Sequence, residues 1–262
     1  MDRPPVLSRP VALVTGVGRR IGIGAAIAKR LAADGWDLAL SWWGPYDERV
    51  YGAADPEGVG AVLAACEAAG ARVVRLPTDL ADADAAAALV PAAVEALGAV
   101  AALVLVHSES VDSDLRTTTA EAFDRHVAVN ARAPFLLIQA YAEQLERAGS
   151  AVAEDRRRIV ALTSDHTAFN LPYGASKGAL DRIILAAARE LADLRVAANV
   201  VNPGPTDTGW MSPAVKSDVL AATPGARLGL PTDAAALVGF LCSPDGGWIN
   251  GQLLHSDGGY SA

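Results

Sequence analysis

A doubly wound parallel α/β sheet of about seven strands, with helices on both faces, is the fold this 262-residue sequence predicts. Three observations predict it. Short β-branched runs alternate with alanine-rich helical stretches from end to end, the pattern of a parallel sheet covered on both sides. Hydrophobic residues make up 52% of the chain, enough for a sizeable core. No internal repeat and no long linker divides it, so residues 1–262 read as a single domain.

The elements run in order along the chain. An apolar run at 11–15 reads as the first strand, a glycine-rich turn comes after it, and helical periodicity resumes over 25–33. A second strand is expected at 37–41. The stretch 44–58, GPYDERVYGAADPEG, is rich in Gly, Pro and Asp and reads as a surface loop. A helix at 59–69 and a strand at 72–76 come next. Residues 85–106 are almost wholly apolar, but Pro91, Glu95 and Gly98 interrupt them. They divide into a helix (83–97) and a strand (101–106) rather than the ~20 unbroken residues of a membrane span. One long helix is expected over 121–145, then a strand at 158–163, a helix at 173–191 and a strand at 195–201. A helix at 233–241 and a short strand at 252–255 complete the series.

The net charge is -8 and the cations are scattered, so nucleic acid and anionic membrane surfaces are not expected partners. Two cysteines, Cys66 and Cys242, lie far apart without a CxxC pattern, which suits a reducing, cytoplasmic setting. The four histidines, at 107, 126, 166 and 255, are dispersed, and no metal-ligand cluster is visible. The first ten residues lack the apolar core of a secretory signal.

Three stretches carry chemistry. Thr15-Gly16-Val17-Gly18-Arg19-Arg20-Ile21-Gly22-Ile23-Gly24 joins the first strand to a helix. Glycines there let backbone N–H groups approach a pyrophosphate, whose charge the helix N-terminus favours. The second strand ends Leu40-Ser41-Trp42-Trp43, without the carboxylate that usually binds ribose hydroxyls, and Asp37 lies at its beginning. Arg19 and Arg20 instead offer guanidinium groups suited to a 2′-phosphate, or else they are simply solvated. Tyr173-Gly174-Ala175-Ser176-Lys177 places a phenol and an ammonium on one helix face. A nearby cation favours the phenolate, and a free tyrosine titrates too high, at ~10, for proton transfer near neutrality. Thr163-Ser164 ends the preceding strand, and Asn202-Pro203-Gly204-Pro205-Thr206-Asp207-Thr208 lies after the next, at the same carboxyl edge of the sheet.

In these motifs, from about Val11 to Tyr260, the chain resembles the short-chain dehydrogenase/reductase family of the single-domain, Rossmann-like type. Among its members it looks most like 3-oxoacyl-carrier-protein reductases. The resemblance implies that Gly16, Gly22 and Ile23 belong to the family's TGxxxGxG loop. It sets Asp79 and Leu80, in Pro77-Thr78-Asp79-Leu80, beside the adenine, with Trp42, Ser108 and Glu109 on the adenosine half. It assigns Pro203, Gly204, Thr206 and Thr208 to the nicotinamide carboxamide. It makes Tyr173 the general acid or base and Lys177 the group that lowers its pKa and holds the nicotinamide ribose. Ser164 then positions the substrate oxygen, and Asn130, in Val127-Ala128-Val129-Asn130, supports a water relay to Lys177. Hydride transfer between a nicotinamide and a small-molecule carbonyl or alcohol is the implied reaction, with NADP(H) favoured and NAD(H) possible. A dinucleotide-binding sensor or scaffold that has lost catalysis is the alternative.

Three departures from the family pattern stand out. The glycine loop is two residues longer if Gly22-Ile23-Gly24 is the family's GxG, whereas an ungapped register puts Arg20-Ile21-Gly22 there and shifts the helix. The family's NNAG reads His107-Ser108-Glu109-Ser110, where the histidine is expected to be a structural hydrogen-bonder. Ser164 precedes Tyr173 by nine residues rather than about thirteen, so the intervening loop is short. The four-residue separation of Tyr173 and Lys177 favours C=O over C=C as the bond reduced. Apolar runs at Phe135–Ile138 and Ile183–Leu185 predict a helix–helix contact between copies, with a tetramer as the expected assembly.

Overall fold

The computed structural model of the chain describes residues 9–52, 55 and 57–262. Among these, the first strand, β1 (Val11–Thr15), leads to α1 (Ile23–Ala33), β2 (Asp37–Ser41), α2 (Gly44–Tyr51), α3 (Gly58–Ala68), β3 (Val73–Arg75) and α4 (Ala83–Leu97). Next come β4 (Val100–Leu105), α5 (Ala120–Val127), α6 (Ala133–Ala148), β5 (Arg158–Leu162), α7 (Leu171–Glu190), β6 (Ala197–Asn202), α8 (Pro213–Ala222), α9 (Pro231–Cys242) and β7 (Leu253–His255). All seven strands are parallel, in the order β3-β2-β1-β4-β5-β6-β7. β1, β2, β4, β5 and β6 are buried along their whole length, as strands covered on both faces must be. Helices α1, α3 and α9 pack together, and α4, α6 and α7 form a second group. Cys66 on α3 and Cys242 on α9 are buried and unpaired, and burial raises their thiols to about 11 and about 12.

The sheet grows outward in both directions from the β1–β4 pair. The loops leaving the carboxyl ends of these two strands therefore part, and a crevice opens between them. No helix among the described residues is long and apolar enough to cross a membrane.

Four local features depart from the expectations. The stretch read as a loop from residue 44 forms α2. Pro45 in its first turn presets φ, and Gly52, at φ 76, ends it. The helix expected over 121–145 is broken by a π-helical turn at Ala128–Arg132, which inserts a residue and rotates α6 relative to α5. The strand expected from Arg195 begins at Ala197, because Arg195 occupies a tight turn at φ 55. A helix with no counterpart in the expected series, α8, starts at Pro213, and Ser212 caps it by accepting from the Val215 N–H at 3.3 Å. Pro91, which faces solvent, does not end α4.

Candidate active site

The crevice is a cleft of about 1190 Å³, larger than the ~300–1,000 Å³ typical of small-molecule pockets. Gly16, Arg19, Gly22, Ile23, Trp42, Asp79, Leu80, Ser108, Glu109, Ser164, Tyr173, Lys177, Pro203, Gly204, Thr206 and Thr208 all line it. Two expected residues do not. Arg20 turns outward and pairs with Asp55, its Nε 3.0 Å from a carboxylate oxygen. Asn130 lies behind the wall, in the π turn.

The cradle at the end of β1 fits a dinucleotide. Gly16 has φ 77, and a Cβ there would come within 2.6 Å of the His107 N. A Cβ on Gly24 would meet the Gly16 carbonyl at 2.3 Å, so α1 packs against the loop at Gly24. Gly22 caps α1 without a side-chain partner, which leaves the first N–H groups of the helix for an anion. The close approach at Gly24 and the helix start at Ile23 match the longer-loop register.

His107 fastens this cradle. Its Nε2 lies 3.0 Å from the Val129 carbonyl, which accepts only from an N–H, so Nδ1 accepts from the Thr15 hydroxyl at 2.6 Å. Burial first, and the Lys177 charge second, lower its pKa to about 3, so the ring is neutral and structural. Asn130 is used in the same way. Its Oδ1 accepts from the Glu109 N–H at 2.8 Å, while its Nδ2 donates to the Glu109 carbonyl (2.8 Å) and to Ser176 Oγ (2.9 Å). Its side chain therefore ties the segment after β4 to α7 and makes no bond to Lys177. Ser176, which carries no chemistry in the motif reading, completes the tie by donating to the Tyr173 carbonyl at 2.7 Å.

Tyr173 and Lys177 sit on adjacent turns of α7, with Nζ 5.7 Å from the tyrosine ring centroid. The ammonium donates to the Leu162 carbonyl at 2.8 Å. Burial lowers Lys177 to about 8, against the pull of Asp181. In this arrangement burial is the largest influence on the phenol. Burial raises Tyr173, and the neighbouring Ser164 and Ser108 hydroxyls oppose it. The phenol is thus protonated at neutral pH, and it shares the cleft wall with Ser164. The short connection between them bends sharply: Phe169 has φ 63, and a Cβ on Gly174 would fall 2.1 Å from the His166 carbonyl.

The opposite wall is charged. Glu109, only 3% exposed, pairs with Arg49 of α2 and with Arg125 of α5, and Arg125 also reaches Asp79 at 3.4 Å. The carboxylate expected to face a cofactor is therefore neutralised within the wall. Asp47 of α2 is buried, which raises its carboxyl against the influence of Arg19. Arg49, Asp47 and Tyr51 were hidden in the stretch read as a loop, whose helical spacing over eight residues is too short to stand out.

Comparison with known proteins places this site in context. A family model described as Enoyl-(Acyl carrier protein) reductase matches residues 16–261. The chain is 31% identical to the uncharacterized oxidoreductase YjdA of Bacillus subtilis, over 95% of this chain and 96% of that one. It is also 31% identical to the 3-oxoacyl-[acyl-carrier-protein] reductase MabA of Mycobacterium tuberculosis, covering 98% of this chain and 94% of the relative. Among solved structures, a short-chain dehydrogenase from Burkholderia cenocepacia in complex with NADP superposes with a TM-score of 0.84 at 34% identity, covering 97% of this chain and 98% of that one.

Proposed function

The chain belongs to the short-chain dehydrogenase/reductase family, and from that premise we propose that this oxidoreductase reduces a small-molecule carbonyl with NADP(H). The observation that carries the reading is that Tyr173, Lys177 and Ser164 meet in the wall of the same cleft as the glycine cradle. A phenol in that position is the general acid when a carbonyl is reduced. Ser164 holds the substrate oxygen beside it. Tyr173 supplies the proton, and Lys177, whose pKa is near neutrality, replaces it. Asn130 acts by positioning, since it holds the backbone of Glu109 and Ser176.

In this reading Gly16, Gly22 and Ile23 hold the pyrophosphate, while Trp42, Asp79, Leu80 and Ser108 flank the adenosine. Tyr173 and Lys177 hold the nicotinamide ribose, and Pro203, Gly204, Thr206 and Thr208 the carboxamide. The bound nicotinamide supplies the hydride. The NADP complex of the Burkholderia relative supports the phosphorylated cofactor. The description of the family model names reduction of a C=C bond, but the four-residue spacing of Tyr173 and Lys177 favours C=O. The reading extends to one domain and to a cytoplasmic homo-oligomer, a tetramer above all. Phe135, 45% exposed on α6, with half-buried Leu136, Ile183 and Leu185, supports the assembly, and light scattering checks it.

Purified protein mixed with NADPH and a panel of ketones and aldehydes tests the activity by loss of nicotinamide absorbance. Oxidation of NADPH that depends on the carbonyl and disappears in Tyr173→Phe is the expected result. Binding of NADPH without turnover across the panel overturns the reading.

A further inference from the structure

We propose that Arg19 is a positioning residue that latches the cofactor cleft, an inference that rests on the cleft taking a dinucleotide. β1 and β6 are separated in the sheet by β4 and β5. Three inter-strand steps of ~4.8 Å put the ends of β1 and β6 about 14 Å apart. The loops that leave them nevertheless touch. Arg19 Nη1 donates to the Thr208 carbonyl at 2.9 Å, and a Cβ on Gly209 would lie 3.0 Å from Ile21 Cδ1. The turn that makes this reach possible is closed by the Gly22 N–H on the Arg19 carbonyl at 3.0 Å, with Arg20 and Ile21 at its tip. It is the part of the glycine loop that exceeds the family pattern by two residues.

A third segment joins the same guanidinium. The Arg19 Cζ stands 3.8 Å from the Tyr51 ring centroid, and its Nε is 3.7 Å from Asp47, both on α2. Only a planar cation stacks with its face while donating from its edge, so one side chain gathers the glycine loop, α2 and the loop after β6. Arg19, Asp47, Tyr51, Thr208 and Gly209 all line the cleft, while Ile21 is 55% exposed. Each contact is weak alone, so the bridge opens to admit a dinucleotide and closes behind it. The latch therefore slows release and capture together, unlike a plain phosphate contact, which slows release only.

Stopped-flow fluorescence of NADPH, with bound cofactor chased by excess NADP⁺, tests this in wild type, Arg19→Ala, Arg19→Lys and Tyr51→Leu. Arg147→Ala, an exposed pair with Glu143 on α6, controls for the loss of one surface cation. Arg19→Ala is expected to release NADPH about tenfold faster and to capture it faster too, so that Kd shifts by less than the release rate. Lysine restores only part of the difference, and Tyr51→Leu reproduces part of it. Unchanged release overturns the latch. So does a Kd that weakens by the whole factor with capture unchanged, which makes Arg19 an ordinary cofactor contact. In the free protein, hydrogen exchange of the amides at 206–211 should quicken in Arg19→Ala, and equal protection also overturns the proposal. Failure of wild type to bind NADPH at all removes the proposed function instead, while the exchange measurement still decides whether the bridge exists.

Discussion

The two walls of the cleft are built on opposite principles. On the Tyr173 side the polar groups are held by backbone: Lys177 on the Leu162 carbonyl, Ser176 on the Tyr173 carbonyl, Asn130 on both amide groups of Glu109. On the other side Arg19, Asp47, Arg49, Asp79, Glu109 and Arg125 pair off among themselves, and most of them keep one edge in water. Backbone partners cannot rearrange without unfolding, so the first wall is preorganised for chemistry. Ion pairs that are partly solvated contribute only ~0–1 kcal/mol each and exchange partners at little cost. The second wall is suited to gripping and releasing a charged molecule.

The contrast breaks most visibly if the rigid wall tolerates change. Tyr173→Phe should lower turnover ~100-fold or more while costing NADPH affinity far less, because the proton donor is lost while Lys177 and the glycine cradle still hold the cofactor. Steady-state rates beside a binding titration check this, and retention of a tenth of the activity would place the acid elsewhere. Gly174→Ala should come next. Its Cβ meets the His166 carbonyl, the short loop must shift, and Ser164 moves with it. A drop in kcat of roughly tenfold to a hundredfold is expected from such misplacement, with cofactor affinity little altered.

The charged wall should answer in affinity and stability instead. Glu109→Gln deprives Arg49 and Arg125 of their shared partner, but these side chains are 47% and 31% exposed and can turn to water. A loss of about 1–2 kcal/mol in urea unfolding is expected. Removing the negative charge should also raise affinity for NADP(H) relative to NAD(H) several-fold, and unchanged selectivity would show that this wall does not sense the extra phosphate.

The smallest effect returns to the rigid wall. Lys177 falls from 10.5 to about 8 because burial penalises its charge. Below pH 8 both folded and unfolded chains hold the proton, and the penalty is complete. Between pH 8 and 10.5 the folded chain gives up the proton first, the unfolded chain binds more, and stability rises with pH. Lys177→Met, although inactive, should therefore melt a few degrees higher than wild type at pH 7. That gain should shrink toward pH 10.5, and melting curves at pH 7, 9 and 10.5 decide it.

The range of each interaction sets how much of this was legible in the sequence. The inner strands declared themselves because burial on both faces leaves continuous apolar runs, as in VALVT and RIVAL. Tyr173 and Lys177 were legible because four residues make one helical turn. The π turn at Ala128–Arg132 was not, since helical periodicity looks the same on either side of one inserted residue. Nor was the wall around Glu109, whose partners lie 60 and 16 residues away in the chain. The pairing of Arg20 with Asp55 was equally out of view, since Asp55 lies 35 residues away. In α2, the turn-forming residues Gly44, Pro45 and Gly52 disguised a helix that they in fact begin and end.

The two buried thiols give the molecule a built-in clock. Cys66 and Cys242 lie in α3 and α9, on either side of α1, and burial keeps both in the unreactive protonated form. A thiol-reactive dye can therefore modify neither until the helical layer that holds α1 has parted from the sheet. The rate of labelling reads how often that layer opens. A ligand that binds only the closed cleft must slow both labelling events, even though neither sulfur comes near it.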